Sequence, residues 1–345
     1  MAIMNDYLIL LSHLCKRLTD LHWFYSPRYF KNSIVDLNSI DIIKANGLEP
    51  IIVLDRNIFS RLYNVSTKGR TNQGNIEDIA ALMSFCALKS CYILPYYAIN
   101  EYATGRGNEC DAQKEFDVFS KIFECISFNV WVALAIGGET ENKQLISAGS
   151  DFSETKFDEN SIDYLSNYAA LLHFAYVWKQ ATDPFERFKL FFEWYYDHMK
   201  VSRYMVTYIS SVLASCGGYL PPKKINNNSF MNVVEGCQNQ ARDISYLTST
   251  SLDRIDYDRY EYILVTDDHM LGLLFSDGCY NTEPLRVFER NIKKGNKKAS
   301  KWVDELLNKH IEFEADDYYQ YCYELVEIEY HRLKSLFPDS NPHNA

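Results

Sequence analysis

The stretch Pro50-Ile51-Ile52-Val53-Leu54-Asp55-Arg56-Asn57 sets the reading of this chain. Its apolar run is rich in β-branched side chains, follows Gly47 and stops at a carboxylate, the pattern of a strand buried in a parallel sheet. From Asn57 to Leu62 the pattern turns helical. A polar loop from Thr67 to Gly74 leads to a predicted helix over 76–88. Cys91-Tyr92-Ile93-Leu94 reads as a second strand, and the helix predicted after Pro95 carries Glu101. Strand alternating with helix is the signature of an α/β fold.

Toward the N-terminus, Leu8, Leu11, Leu14, Leu18 and Leu21 recur at helical spacing, so one amphipathic helix is expected over about 5–24. Beyond Glu101 the pattern changes. Residues 137–160 are polar and acidic and read as an exposed loop. Ile162, Leu165, Tyr168, Leu172 and Tyr176 mark a helix, and Asp183-Pro184 marks a second, with an N-cap and a first-turn proline, running to Gly217-Gly218. After a loop over 221–228 the alternation resumes: a helix around Asp243, a strand at Tyr262-Ile263-Leu264-Val265, a helix from 268 and a strand at Leu285-Arg286-Val287-Phe288. The tail from 300 to 336 reads as helical. The expected architecture is a parallel sheet flanked by helices in two halves, 50–112 and 230–290. A helical insertion over 113–229 separates them, and helical extensions cover 1–49 and 291–345.

Composition bounds the function. Apolar residues make up 47% of the 345 and charged residues 23%, a folding profile. The formal charge of −11 argues against a protein that coats nucleic acid by bulk electrostatics. It leaves room for an enzyme that grips divalent cations with carboxylates, since bound cations restore positive potential. Nine Cys without a Cys-x-x-Cys pair read as free thiols of a reducing compartment. With no signal-peptide pattern and no long apolar span, the expectation is a cytoplasmic protein without membrane contact.

Four carboxylate settings carry the chemistry: Leu54-Asp55-Arg56-Asn57, Leu94-Pro95 followed by Glu101, Ala241-Arg242-Asp243, and Val265-Thr266-Asp267-Asp268. Each lies at a strand end or on a neighbouring helix, where parallel α/β sheets collect functional side chains. Singly, each has a plainer reading. Asp55 and Asp267 suit helix N-caps, and Glu101 and Asp243 suit solvent-facing helix positions.

In their order, these motifs resemble the PIN-domain nucleases, a family with many toxin ribonucleases and RNA-processing endonucleases. The matching segments are IIVLDRN, ILPYYAINE, ARDISYL and ILVTDD. The resemblance implies that Asp55, Glu101, Asp243 and Asp268 form an acidic metal pocket, with Asn57 and Thr266 positioning carboxylates. Asp267 fills the variable position beside Asp268, which the Thr-x-Asp spacing favours as the ligand. Arg56 departs from the family, which has a small or hydroxyl residue there, and the interval from Glu101 to Asp243 is far longer than in compact members. The implied activity is endonucleolytic cleavage of RNA with Mg2+ or Mn2+, leaving 5′-phosphate and 3′-hydroxyl ends. A toxin or defence effector is the implied setting, with room for a homo-oligomer or an inhibitory protein partner. The competing implication is a catalytically inactive scaffold that binds RNA or protein.

Carboxylates suit that chemistry because hard divalent cations prefer oxygen ligands. Two such ions about 4 Å apart can stabilise both the attacking and the leaving oxygen of an in-line displacement. Lys293, Lys294, Lys297 and Lys298 could guide a nucleic-acid backbone, or simply form a solvated loop. Arg17 and His22 form an Arg-x4-His pair like that of the metal-independent HEPN ribonucleases, for which helix surface is the better reading. A haloacid-dehalogenase-type phosphatase would need a second aspartate where Asn57 stands. Phe188, Phe191, Phe192, Trp194, Tyr195 and Tyr196 read as core or a dimer surface before they read as a base-stacking platform. Neither a zinc-ligand spacing nor a phosphate-binding glycine loop occurs.

Overall fold

Gly69 shows how local chemistry shapes the fold: it sits at φ +75°, ends a helix, and accepts the Asn142 amide on its carbonyl at 2.8 Å. A Cβ there would come within 2.4 Å of the Asn142 carbonyl oxygen, so only glycine fits. Asn142 Nδ2 also donates to the Val65 carbonyl at 3.1 Å. Asn142 and Ile146 are therefore buried, two anchors in a loop that is otherwise exposed from 137 to 149, as expected of that segment. The computed structural model describes residues 2–26, 28–30, 33–105, 109–149, 161–249, 259–280, 283–291, 297–309 and 313–337. The remainder of the 137–160 segment, 150–160, lies outside them.

The chain divides into two compact units, residues 1–159 with 252–276, and 160–251 with 277–345. In the first unit come α1 (Ala2–Leu21), β1 (Phe24–Tyr25), α2 (Ser39–Ala45), β2 (Glu49–Leu54), α3 (Arg56–Lys68), α4 (Ile76–Leu88), β3 (Tyr92–Leu94), α5 (Tyr96–Gly105), α6 (Glu109–Ser120), α7 (Ile122–Cys125) and α8 (Phe128–Ala135). The second unit opens with α9 (Ile162–Gln180), α10 (Pro184–His198), α11 (Arg203–Leu213) and α12 (Phe230–Ser249). The chain then returns to the first unit for β4 (Tyr260–Val265) and the start of α13 (His269–Tyr280). It closes in the second with α14 (Arg286–Asn291), α15 (Lys297–Lys309) and α16 (Tyr318–Lys334). The 113–229 segment read as an insertion is thus shared between the units, and α12 lies in the second.

The sheet has the order β1-β4-β2-β3. β2 pairs in parallel with both β3 and β4, as the buried Ile-Ile-Val-Leu run predicts. β1 pairs antiparallel with β4, Phe24 opposite Val265 and Tyr25 opposite Leu264, so the sheet is mixed rather than parallel. The leading helix stops at Leu21 because His22 turns to φ +54°, and Phe24-Tyr25 becomes an edge strand instead of a last helical turn. Leu14, Leu18, Phe24, Ile52, Leu54 and Phe85 belong to the core that α1, α4 and the sheet build together. Tyr25 packs so closely on Gly272 of α13 that a Cβ there would lie 2.3 Å from its ring.

Two expectations fail in the second unit. The helix from Pro184 ends at His198, because the Ser202 amide bonds to the Tyr195 hydroxyl at 2.9 Å and Ser202 caps a new helix. Residues 285–288 form no strand. They enter the short helix α14, where Leu285 and Phe288 are buried three apart and Arg286 pairs with Glu283 and Glu289. Phe288 stacks on Phe188 at 4.0 Å. The six aromatics of α10 singled out in the sequence are all buried in this unit, as core rather than a stacking surface. Cys15, Cys86, Cys91, Cys110, Cys125, Cys216, Cys237 and Cys322 are free. Among the described residues no helix is long and apolar enough to cross a membrane.

Candidate active site at the end of the parallel strands

Because β3, β2 and β4 run parallel, the residues that follow them emerge on one edge of the sheet. Asp55 follows β2 and Thr266-Asp267-Asp268 follow β4, while Glu101 stands on α5 just past β3. Asp55 takes extended backbone angles (φ −69°, ψ 155°) and caps α3, accepting the Arg56 amide on Oδ1 at 2.6 Å. Its own amide donates to the Val265 carbonyl at 3.0 Å, so the ladder between β2 and β4 continues to this residue. Asp55 is only 6% exposed.

Thr266 is fully buried and holds the edge together. Its amide donates to the Trp23 carbonyl at 3.0 Å, and its hydroxyl donates to Asp55 Oδ2 at 2.7 Å while accepting the Asp268 amide at 2.9 Å. Both hydrogen bonds accepted by Asp55 thus come from Thr266 and the Arg56 amide, not from Asn57, which is exposed on the first turn of α3. The two aspartates after Thr266 diverge. Asp268 accepts the Leu271 amide at 3.0 Å and opens α13, whereas Asp267 reaches outward to an ion pair with Arg61. The helix cap expected at Asp267 is therefore made by Asp268.

The Asp55 carboxyl is raised to about 7, by burial first and by the charges of Glu101 and Asp267 in addition. The hydrogen bonds from Thr266 and Arg56 pull the other way without cancelling the burial. Asp268 acts instead on Tyr25, whose phenol is raised by burial first and by this aspartate in addition. Tyr25 meets His269 at 3.2 Å. Asp55, Glu101 and Asp267 thus form one electrostatic cluster with a carboxylate that is costly to ionise. Oxygen donors of this kind suit Mg2+ or Mn2+, and a cation bound beside Asp55 would offset the cost of its burial. Among the described residues, however, no three Asp, Glu, His or Cys side chains converge as a metal-holding group.

Asp243 belongs to the second unit, half-buried on α12, where its charge adds to the burial that raises the Tyr208 phenol. Lys297 and Lys298 are exposed at the start of α15 in that unit, and Lys293 and Lys294 lie outside the described residues. The Arg-x4-His pair is accounted for by packing: Arg17 bonds Glu77 at 2.8 Å and Asp78 at 2.7 Å, tying α1 to α4.

Three features of the first unit escaped the sequence reading. Arg56 forms a two-pronged pair with Glu115 of α6 at 2.6 and 2.8 Å and lies 4.2 Å from the Tyr102 ring, so it fastens α3 to α5 and α6. Its unusual identity was the only available signal. Glu261, inside β4 and fully buried, is held by Ser26 at 2.5 Å and by Arg28 at 2.6 Å, yet burial still raises its pKa. Arg61 had no signal at all. Comparison with family models, curated proteins and solved structures gave no match to this chain.

Proposed function

We propose that this chain is a metal-dependent endonuclease of the PIN type that hydrolyses phosphodiester bonds of RNA. The observation that carries the reading is the Thr266–Asp55 hydrogen bond. It joins the ends of two neighbouring parallel strands at a buried carboxylate whose ionisation Glu101 and Asp267 oppose. A carboxylate kept dry at such cost is typical of functional sites. Asp55, Glu101 and Asp267 or Asp268 would hold Mg2+ or Mn2+. An ion held there would supply a Lewis acid and an activated water for attack on phosphorus. Asp55 presents a fixed oxygen, since Thr266 and the Arg56 amide lock its carboxyl plane, and Glu101 stands on a helix that follows the neighbouring strand.

The test is cleavage of an end-labelled single-stranded RNA with Mg2+, with Mn2+ and with chelator, for the wild type, Asp55→Asn and Asp268→Asn. Cleavage that needs the divalent ion and disappears in the variants, with unchanged circular dichroism, supports the reading. Cleavage in chelator, or full activity in both variants, overturns it. A growth-arrest role extends the same reading and predicts that expression halts growth for wild type but not for Asp55→Asn.

A second reading, a catalytically silent scaffold that binds RNA or protein, is favoured by one observation. Asp267 is engaged by Arg61 and Asp268 by the helix it caps, so neither carboxylate stands open. RNA binding without turnover under any divalent ion would select it.

A further inference from the structure

We propose that Arg61 is the residue that grips a non-bridging phosphate oxygen of the nucleic-acid backbone at this edge of the sheet, an inference that rests on the nuclease reading. Arg61 lies on α3, under two turns beyond Asp55, and its guanidinium reaches the residue that follows Thr266. It sits 5.5 Å from the Trp23 ring, and the Trp23 carbonyl accepts the Thr266 amide. Arg61 therefore occupies the place where β1, β4 and α3 meet, beside the carboxylates.

Its bonding is incomplete for a buried cation. A guanidinium carries five N–H donors. Among the described residues its only hydrogen-bond acceptor is Asp267, which takes Nη2, while Nε is buried with no partner. The side chain as a whole is 14% exposed. Since Nε is closed off, the group can offer an incoming anion only its Nη edge, the edge already turned to Asp267. Gly74 keeps this space narrow, with Nη1 lying 3.4 Å from where a Cβ would stand. A planar fork held in one orientation, with donors to spare, matches the geometry by which arginine binds phosphate oxygens. The site also requires such a group: a polyanion approaching Asp55, Glu101, Asp267 and Asp268 meets like charge, and Arg61 is a cation at that edge paired to one of those carboxylates.

Arg61 thus acts on binding, as a positioning residue, and the experiment reads binding apart from turnover. Anisotropy of a fluorescein-labelled single-stranded ribo-oligonucleotide in Ca2+ gives Kd for wild type, Arg61→Gln and Arg61→Lys, alongside thermal melts, and Mg2+ kinetics give KM and kcat. The expected result is about tenfold or greater weakening in Arg61→Gln. KM should rise more than kcat falls, and Arg61→Lys should recover part of the affinity. If Arg61→Gln melts too low to assay, Arg61→Lys carries the comparison: weakened binding in a well-folded Arg61→Lys supports the role, because a lysine keeps the charge but loses the fork. Wild-type affinity in the folded variants, or no oligonucleotide binding by the wild type, overturns the proposal. Asp55→Asn separates the two readings. If it abolishes cleavage while Arg61→Gln binds normally, only the Arg61 role falls. If it and Asp268→Asn both cleave like the wild type, the nuclease reading falls and the anisotropy still decides Arg61.

Discussion

The Thr266 hydroxyl donates to Asp55 Oδ2 at 2.7 Å, joining residues 211 positions apart at the ends of β4 and β2. The same oxygen accepts the Asp268 amide, so one hydroxyl satisfies a buried carboxylate and the first turn of α13 together. Thr266→Val keeps the shape and removes both bonds. A hydrogen bond to a charged acceptor contributes about 1.5–3 kcal/mol, and urea unfolding should show a loss of that order. Thr266→Ser should lose much less. Equal stability of the valine and threonine forms would mean that the bond carries no net weight.

Asp55 should leave a pH signature. Its folded carboxyl titrates at about 7 against 3.8 for the free group, so between these values the folded state holds a proton that the unfolded state has released. Stability therefore falls as pH rises through that window. At about 1.4 kcal/mol per unit, the loss is on the order of 4 kcal/mol by pH 8. Asp55→Asn should flatten this part of the curve and be the more stable protein at pH 8 in chelator. Parallel curves for the two proteins between pH 5 and 8 would refute the assignment.

Arg56 and Glu115 are largely buried and share two hydrogen bonds. Removing one partner strands the other, so Glu115→Gln and Arg56→Met should each cost roughly 3 kcal/mol. Arg56→Lys should recover little, because it loses the fork and the stack on Tyr102. A double-mutant cycle should give a coupling on the order of 1–3 kcal/mol, and additive losses would show that the pair does not act as a unit.

In the second unit His173 bonds Glu329 at 2.9 Å, while Arg332 takes the other Glu329 oxygen at 2.7 Å and Trp194 stacks on the imidazole at 3.9 Å. Burial lowers the His173 pKa, with Arg332 and His198 adding, and the Glu329 contact only partly offsets this. The unfolded chain therefore takes up the proton first. Stability should fall as pH drops through 6.5 toward the folded pKa. His173→Gln, which can still donate to Glu329, should reduce that acid sensitivity. The check is the difference between the two proteins in melting temperature from pH 7.5 to 5, and a constant difference would count against it.

The parts of this protein legible in its sequence were those written in short-range pattern. The run Pro50 to Leu54 specifies a strand because its side chains suit a sheet core, and Asp183-Pro184 specifies a helix start because a carboxylate and a missing amide both suit that position. Asp55 and Thr266 could be singled out for the same reason: each ends an apolar strand. Tertiary structure alone decided what depends on partners distant in the chain. Phe24-Tyr25 became a strand because β4 offered an open edge, and 286–288 became helical because Phe288 found Phe188. Glu115 was bound by Arg56, Asp267 by Arg61, and the capping of α13 fell to Asp268. A charged side chain settles on the counter-charge that packing brings within reach, and spacing along the chain does not encode that distance.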